Sequence, residues 1–211
     1  MHNIGRGLIF LSLLGATAYA DPPPTDKIVI DVITVNGSGC PAGTAAVAVS
    51  ADNTAFTISY SAYTAQVGVG TRPTDFRKNC NLNLVLHVPQ GFSYAISSAN
   101  YRGFASLAAG ASAVQRANYF FQGQSTTGLI QHALPPGPFA DDWQSTDNTE
   151  ISDLVYSPCG EQRNLNINTE LNVSAGTSDT AHTTSFVTMD SADGAIATTY
   201  HFDWLTCPAA H

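Results

Sequence analysis

The chain has 211 residues, of which 44% are apolar and 11% charged, and its formal net charge is −8 at pH 7. This apolar share excludes a disordered chain, because segments that stay unfolded combine low hydrophobicity with high net charge. The excess of acids over bases makes nucleic acids and anionic membranes poor partners. The length fits one domain of sandwich or barrel size, with a polar surface built from Ser, Thr, Asn and Gln.

Residues 1–20 have the three regions of a secretory signal peptide. A short start carrying Arg6 is followed by the apolar run Leu8–Ala16 and by Ala18-Tyr19-Ala20, which fits the site cut by signal peptidase. The apolar run is much shorter than the roughly 20 residues needed to span a bilayer. We therefore predict cleavage before Asp21 and release of an extracellular, monomeric protein with no membrane partner.

Four cysteines, Cys40, Cys80, Cys159 and Cys207, lie in the mature part of the chain. An even number in an exported protein predicts two disulfides, and the absence of a C-x-x-C spacing argues against zinc. Three pairings are available to four cysteines. We favour the pairing of sequence neighbours, Cys40 with Cys80 and Cys159 with Cys207, because it closes the shorter loops.

The mature chain also contains two N-glycosylation sequons. They are Asn36-Gly37-Ser38 and Asn172-Val173-Ser174. In a eukaryotic host both asparagines are candidate N-glycan acceptors, whereas in a bacterium they carry no meaning.

Period-two alternation of apolar and polar residues runs through most of the mature chain and predicts strands. A Pro-rich leader at residues 21–26, expected to be extended and mobile, precedes the first of them. The predicted strands are Lys27–Val35, Ala45–Ser50, Thr54–Tyr60, Tyr63–Val69, Asn81–Val88, Phe92–Ser98, Tyr101–Leu107, Ala111–Gln122, Asn164–Val173, His182–Met189 and Ile196–Trp204.

In three stretches, alternation alone does not predict the secondary structure. The Ala-rich stretch Leu107–Val114 could be a helix, but nearby glycines and the alternation that follows favour strand. Thr126–Tyr156, with its prolines and acids, is predicted to be the longest loop. The last two strands are predicted to form a hairpin around Asp190–Gly194. The whole pattern predicts an all-β fold, an antiparallel β-sandwich of jelly-roll or Greek-key type over residues 27–211, with a barrel as second choice.

Short segments distributed over the mature chain carry a family resemblance. They are Val35–Thr44, Arg77–Cys80, Val88–Phe92, Tyr101–Gly103, Tyr119–Gly123, Ser157–Gly160 and Met189–Ser191. In this order they resemble a family of secreted proteins from fungi and actinobacteria, named only as domain of unknown function 4360. The resemblance implies a small secreted protein, and it supplies no catalytic residue.

An acidic group around Trp143 is the strongest candidate for catalysis. Paired carboxylates beside an aromatic ring are what a glycosidase uses as acid and base or nucleophile, so a secreted hydrolase is one interpretation. The other is a solvated acidic loop, which is the commoner role of such charge runs and the one we favour. The acids are Asp141, Asp142, Asp147, Glu150 and Asp153.

The remaining chemical signals are weaker. Asp190–Gly194 resembles part of a calcium loop, but it lacks the later ligands and fits a turn better. His201 and Asp203 lie on one strand face, and His87 is isolated, so each is more simply a surface hydrogen-bonding group. The sequence has neither G-x-S-x-G nor H-E-x-x-H. We therefore predict no catalytic residue, metal or cofactor.

Binding is the function that the sequence favours. Strand faces rich in Asn and Gln offer amides for sugar hydroxyls, and aromatic rings could stack on sugars, although small sandwiches usually bury such rings. We predict a non-catalytic protein that binds a neutral or weakly basic polymer, such as a cell-wall glycan, through Trp143, Asp141, Asp142 and Tyr156. The alternative is an effector that binds an extracellular protein. The rings concerned are Tyr60, Tyr63, Tyr101, Tyr119, Trp143 and Tyr156.

Overall fold

The computed structural model describes residues 20–124, 128–150, 153–189 and 197–208. Within these ranges two antiparallel sheets pack face to face, which confirms the predicted all-β sandwich. No helix in the same ranges is long and apolar enough to cross a membrane. Residues 1–19 of the predicted signal peptide and the predicted turn Asp190–Gly194 lie outside the described residues.

The described residues contain twelve strands. They are β1 (Val29–Asn36), β2 (Ala45–Val49), β3 (Ala55–Tyr60), β4 (Thr64–Gly68), β5 (Arg77–His87), β6 (Phe92–Leu107), β7 (Ser112–Phe121), β8 (Ile130–Ala133), β9 (Phe139–Asn148), β10 (Leu165–Ser174), β11 (Thr184–Thr188) and β12 (Thr198–Thr206). The Ala-rich stretch Leu107–Val114 contains no helix, because Leu107 ends β6, residues 108–111 form a turn and Ser112 begins β7.

The first sheet has five strands in the order β1-β5-β10-β7-β8. Its register places apolar side chains on the inner face and polar side chains on the outer face. Leu82 of β5 pairs with Val35 of β1 and Ile167 of β10, and this apolar row faces the core. Because successive strand residues point to opposite faces, the neighbouring residues on β1, β5, β10 and β7 face outward.

The second sheet is organised around the 16-residue strand β6. Two separate strands were predicted there, over Phe92–Ser98 and Tyr101–Leu107, but the structure joins them. At Ala99 strand β6 pairs with Tyr200 of β12 on one side and with Asp147 of β9 on the other. The order is β2-β3-β12-β6-β11-β4, with β9 added on β6.

Two predictions about connections are wrong. The predicted loop Thr126–Tyr156 contains β8 and β9, and β9 pairs with ten consecutive residues of β6. Asp and Asn have low strand propensity, so the acid-rich β9 carries a weak local signal that pairing with β6 overrides. The predicted hairpin of the last two strands is also absent from the described pairings, since β11 pairs with β4 and β6 while β12 pairs with β3 and β6.

Both predicted disulfides are present. Cys40–Cys80 joins the turn after β1 to β5, with 5.3 Å between the Cα atoms. Cys159–Cys207 joins the segment before β10 to the residue after β12, with a Cα–Cα distance of 5.8 Å. At Gly37, beside the first disulfide, a Cβ atom would lie 2.2 Å from the carbonyl oxygen of Asn79, so only glycine allows this close approach to β5.

The Pro-rich leader differs from the expectation of a mobile segment. The backbone N–H of Asp21 donates to the carbonyl of Trp204 at 3.0 Å, and its carboxylate accepts from the N–H of Thr206 at 2.7 Å. The buried amide of Asn53 donates to the carbonyls of Pro24 and Asp26. Residues 21–26 are therefore held against the sandwich.

Candidate functional site

Trp143, the predicted centre of the binding site, lies in the core with 5% of its surface exposed. The prediction placed it in a loop, but on strand β9 its side chain points inward and covers Gly103 of β6. A Cβ atom at Gly103 would lie 2.6 Å from Cζ2 of the indole, which shows how closely the two residues pack. The ring therefore has no free face on which a sugar could stack.

The other predicted binding residues do not form one site. Asp141 and Asp142 are exposed neighbours on β9, so their side chains leave opposite faces of the strand. Tyr156 lies near the start of β6, because the N–H of Ser157 donates to the carbonyl of Tyr94. Trp143 pairs with Gly103, nine residues further along the same strand. At a rise of about 3.3 Å per residue, the positions on β6 that lie beside Tyr156 and Trp143 are roughly 30 Å apart.

Tyr156 has a structural role in the described structure. Its hydroxyl donates to the Asp203 carboxylate at 2.5 Å, and its carbonyl accepts from the amide of Gln124. Burial, the hydrogen bond to Asp203 and the nearby carboxylates raise the pKa of Tyr156 to about 12. The phenol therefore stays protonated at neutral pH and links the segment before β10 to β12.

The carboxylates required for the hydrolase interpretation are not paired. Asp147 is buried, and it accepts hydrogen bonds from the Tyr101 hydroxyl at 2.9 Å and from Nε2 of His132 at 2.5 Å. Asp141 lies six residues away along β9, which corresponds to about 20 Å. Inverting glycosidases need about 6.5–9.5 Å between their carboxyl groups, and retaining enzymes need less. Strand geometry thus separates Asp141 from Asp147, although the two acids are close in sequence.

The predicted histidine and tyrosine candidates also have structural partners. Nε2 of His87 lies 2.8 Å from the Asp31 carboxylate, and Nε2 of His201 lies 2.9 Å from the Asn100 amide. Four of the five tyrosines proposed as stacking rings are buried, as the alternative interpretation expected, and Tyr156 is half-buried. The buried four are Tyr60, Tyr63, Tyr101 and Tyr119.

The outer face of the five-stranded sheet carries a continuous row of amides, which we call the amide row. Asn81 of β5 pairs with Asn36 of β1 on one side and with Asn168 of β10 on the other, and Asn168 pairs with Asn118 of β7. Four asparagines therefore follow one another across four strands. With strands about 4.8 Å apart, the row is roughly 14 Å long.

The amide row keeps much of its hydrogen-bonding capacity. Nδ2 of Asn168 donates to Oδ1 of Asn118 at 3.0 Å. This bond leaves Oδ1 of Asn168 and Nδ2 of Asn118 without a partner among the described residues, and the Asn81 amide has none there either. The neighbouring outward-facing asparagines, in contrast, bond to one another: the side-chain amide of Asn83 bonds to those of Asn164 and Asn166 at 2.7 and 2.8 Å.

Two arginines and a glutamate lie beside the amide row. The Glu170 carboxylate accepts from Arg77 at 2.5 Å and from Arg116 at 2.7 Å, and Nε of Arg116 donates to Gln131 at 2.8 Å. Burial raises the pKa of the Glu170 carboxyl, but the hydrogen bonds from the two guanidiniums outweigh this effect and hold the pKa below its ordinary value. Glu170 is therefore ionised at neutral pH, and the trio carries one net positive charge.

These side chains surround a shallow groove with a volume of 620 Å³. The volume lies within the range of about 300–1,000 Å³ typical of ligand sites. The planar amides can donate to and accept from neighbouring hydroxyls, the guanidiniums can donate to them, and the exposed Leu129 adds an apolar contact. The groove is lined by Arg77, Asn79, Asn81, Arg116, Asn118, Leu129, Gln131, Asn168, Thr169 and Glu170.

A second groove, of 660 Å³, lies beside the Cys159–Cys207 disulfide. Its ionisable side chains bond to one another. His87 contacts Asp31 and Gln162, and Arg163 pairs with Glu161 at 2.7 Å. The groove beside the amide row is the better candidate site, because it combines a concave surface with unpaired polar groups.

The fold and the two disulfides define a disulfide-bonded β-sandwich of the kind made for the extracellular space. Residues 26–207 match the family described as domain of unknown function DUF4360. A protein of the fungus Arthroderma benhamiae, described as an uncharacterized secreted protein, is 35% identical over 185 residues, which cover 88% of this chain and 74% of that protein. The chain belongs to the DUF4360 family, and the protein is secreted.

A solved structure also aligns with the sandwich. It is the crystal structure of the enzymatically active domain of bacteriophage CBA120 tailspike protein 4, with a TM-score of 0.27 and 10% sequence identity. The alignment covers 82% of this chain and 19% of the tailspike chain. The present protein thus spans less than a fifth of that chain, and so low a TM-score does not equate the two folds.

Sequence reasoning found the amide-rich strand faces but missed the groove itself. The alternation around Asn81 and Asn168 predicts that both point outward. Nothing in the sequence places Arg77 and Arg116 on either side of Glu170, because the three residues are far apart in the chain and meet only through strand register. The signal that the sequence does contain is the charge on the outward faces of three strands, where Arg77, Arg116 and Glu170 lie.

Proposed function

We propose that the protein is a non-catalytic binding protein that attaches to a hydroxyl-rich polymer of a cell surface, most directly a cell-wall glycan. The observation that supports this proposal is the amide row with its unpaired donors and acceptors, set in a groove beside Arg77, Arg116 and Glu170. The groove lies on a hydrogen-bonded sheet, whose register sets the spacing of its polar side chains before a ligand arrives.

The groove suits a neutral polymer better than a polyanion. Its lining has one net positive charge, but the chain as a whole has 16 acids against 8 bases, which disfavours the approach of an extended polyanion. Neutral sugar rings need only hydroxyl partners and a small apolar contact. The amides of Asn81, Asn118 and Asn168 supply the hydroxyl partners, and Leu129 supplies the apolar contact.

The proposal is tested by mixing the purified secreted protein with insoluble cellulose, chitin, β-glucan and peptidoglycan, and measuring the fraction that sediments with each. We expect saturable binding to at least one neutral glycan with no release of reducing sugar. Release of sugar that stops in Asp141→Asn or Asp142→Asn would instead support the hydrolase interpretation. An absence of binding to every polymer contradicts the proposal.

A protein partner is the second candidate, and it has its own supporting observation. Strand β1 forms an edge of the five-stranded sheet and exposes Val29, Val32 and Ile33, with 39–55% of each residue accessible. Exposed apolar side chains on an edge strand favour pairing with another chain. Binding to an extracellular protein that is abolished by Ile33→Lys, with no binding to any glycan, would favour this candidate.

A further inference from the structure

The two N-glycosylation sequons lie on the same sheet face as the groove, on two of its sides. Asn36, the last residue of β1, pairs directly with Asn81 of the groove. Asn172, near the end of β10, pairs directly with Arg77 of the groove. The sequons are far apart in the sequence, so this placement is produced by the fold.

Both asparagines can carry a glycan as the chain stands. Asn36 is exposed and Asn172 is half-buried on the outward face, and neither side-chain amide has a hydrogen-bond partner among the described residues. Attachment at Nδ2 therefore breaks no described interaction of these side chains. Within the described part of the chain, the hydroxyl of Ser174 in the second sequon accepts a single hydrogen bond, from the N–H of Gly176 at 3.3 Å.

A glycan at either position would lie against the groove. Side chains directly opposite each other in an antiparallel pair have their Cβ atoms about 5 Å apart. The first sugar on Asn36 is thus within reach of the free Asn81 amide, and the first sugar on Asn172 is within reach of the Arg77 guanidinium. An attached sugar supplies the same hydroxyls that the groove is proposed to bind.

We propose that, in a chain made by a eukaryotic secretory pathway, N-glycans on Asn36 and Asn172 occupy the sides of the groove and reduce its affinity for the external polymer. This inference rests on the proposed glycan-binding function. It makes the glycosylation state a regulator of binding: the unglycosylated chain binds tightly, and each attached glycan competes for the groove.

The test uses the full chain secreted from yeast, with the insoluble glycan panel as the probe. Intact mass before and after enzymatic removal of N-glycans measures occupancy. Ser174→Ala destroys the second sequon while leaving Asn172 in place, and Ser174→Thr is the matched control that keeps it. Asn36→Gln removes the first site. We expect Ser174→Ala and Asn36→Gln each to bind more tightly than wild type. The double variant, which has neither sequon, should bind at least about fivefold more tightly, the change expected if attached glycans leave the groove free about a fifth of the time.

Each outcome separates this inference from the proposed function. If the wild type carries glycans and binds a polymer with an affinity that loss of both sequons leaves unchanged, the inference is wrong and the binding function stands. If the mass shows no glycan on either asparagine, the inference is again wrong, and the same chain still tests polymer binding. If no form binds any polymer, including the double variant, the proposed function fails and the inference fails with it.

Discussion

Asn81 and Asn168 lie directly opposite each other on the outer face of the five-stranded sheet, on strands that are joined by no hairpin. Their positions follow from the core, since Leu82 and Ile167, the next residues along each strand, pair with each other on the inner face. A slip of one residue would turn both apolar side chains outward, so burial fixes the register. The amide row is thus a consequence of core packing.

Replacing Trp143 by Ala is expected to destabilise the fold. The indole is buried against Gly103, and removing so large a core side chain leaves a cavity, with a typical cost of about 3–5 kcal/mol in the free energy of unfolding. Chemical denaturation of the variant measures this cost. Asp142→Ala, an exposed change on the adjacent residue, serves as the control and should alter stability by less than about 0.5 kcal/mol. An unfolding free energy equal to that of wild type in Trp143→Ala would show that the ring is not in the core.

Loss of either disulfide is expected to lower stability by a similar amount. The bridges span 40 and 48 residues, for which loop-closure entropy predicts about 4 kcal/mol each. The comparison is between wild type and the double variants Cys40→Ser with Cys80→Ser, and Cys159→Ser with Cys207→Ser, by denaturant unfolding. Alkylation of the denatured, non-reduced wild type should add no mass. Any alkylated thiol would contradict the pairing.

The two partners in the Asp147–His132 contact are expected to differ in their effect on stability. Asp147→Ala leaves the Tyr101 hydroxyl without its acceptor in the core, at a cost of about 1–3 kcal/mol in the free energy of unfolding, whereas the partly exposed His132 can bond to water instead. His132→Ala should cost more, because it leaves an oxygen of the fully buried Asp147 side chain without its partner. Thermal unfolding of both variants checks the order. A larger loss in Asp147→Ala would contradict it.

The ion network at Glu170 is expected to contribute an acid-sensitive part of the stability. The folded state lowers the pKa of the Glu170 carboxyl. The stabilising contribution is therefore fully present above the ordinary glutamate pKa, and it is lost as the pH falls through the lower folded-state pKa. We therefore expect Glu170→Gln to be less stable than wild type at about pH 6, and this difference to shrink by about pH 3. Denaturant unfolding across this pH range measures the difference. A gap that widens in acid would contradict the assignment.

Much of the fold could be predicted from alternation alone. Asn81–Val88 and Asn164–Val173 showed a period-two pattern strong enough to place their buried and exposed faces correctly. The failures occurred where local sequence and tertiary pairing disagree. Strand β9 has a poor strand composition and exists because β6 offers a long edge, which no short sequence window can show.

The site was harder to predict because its parts are non-local. A cluster of acids beside a tryptophan looked like a site because its members are close in sequence, but β9 sends alternate side chains to opposite faces and buries Trp143. The residues of the groove, in contrast, are far apart in the sequence and close together in the structure. Arg77, Arg116 and Glu170 come from three strands, and only the register of β5, β10 and β7 brings them together.

The most direct test of the account is the binding of a double variant in the amide row. Asn81→Ala with Asn168→Ala removes two half-buried amides from the outer face and leaves the core untouched. Arg102→Ala with Gln144→Ala, which removes two exposed side chains that pair on the other sheet, is the control. At about 0.5–1.5 kcal/mol for each of two lost hydrogen bonds, the amide-row variant should bind the glycan roughly five- to 150-fold more weakly. The control should bind like wild type. Unchanged affinity in the amide-row variant, with its fold intact by circular dichroism, would contradict the assignment of the site.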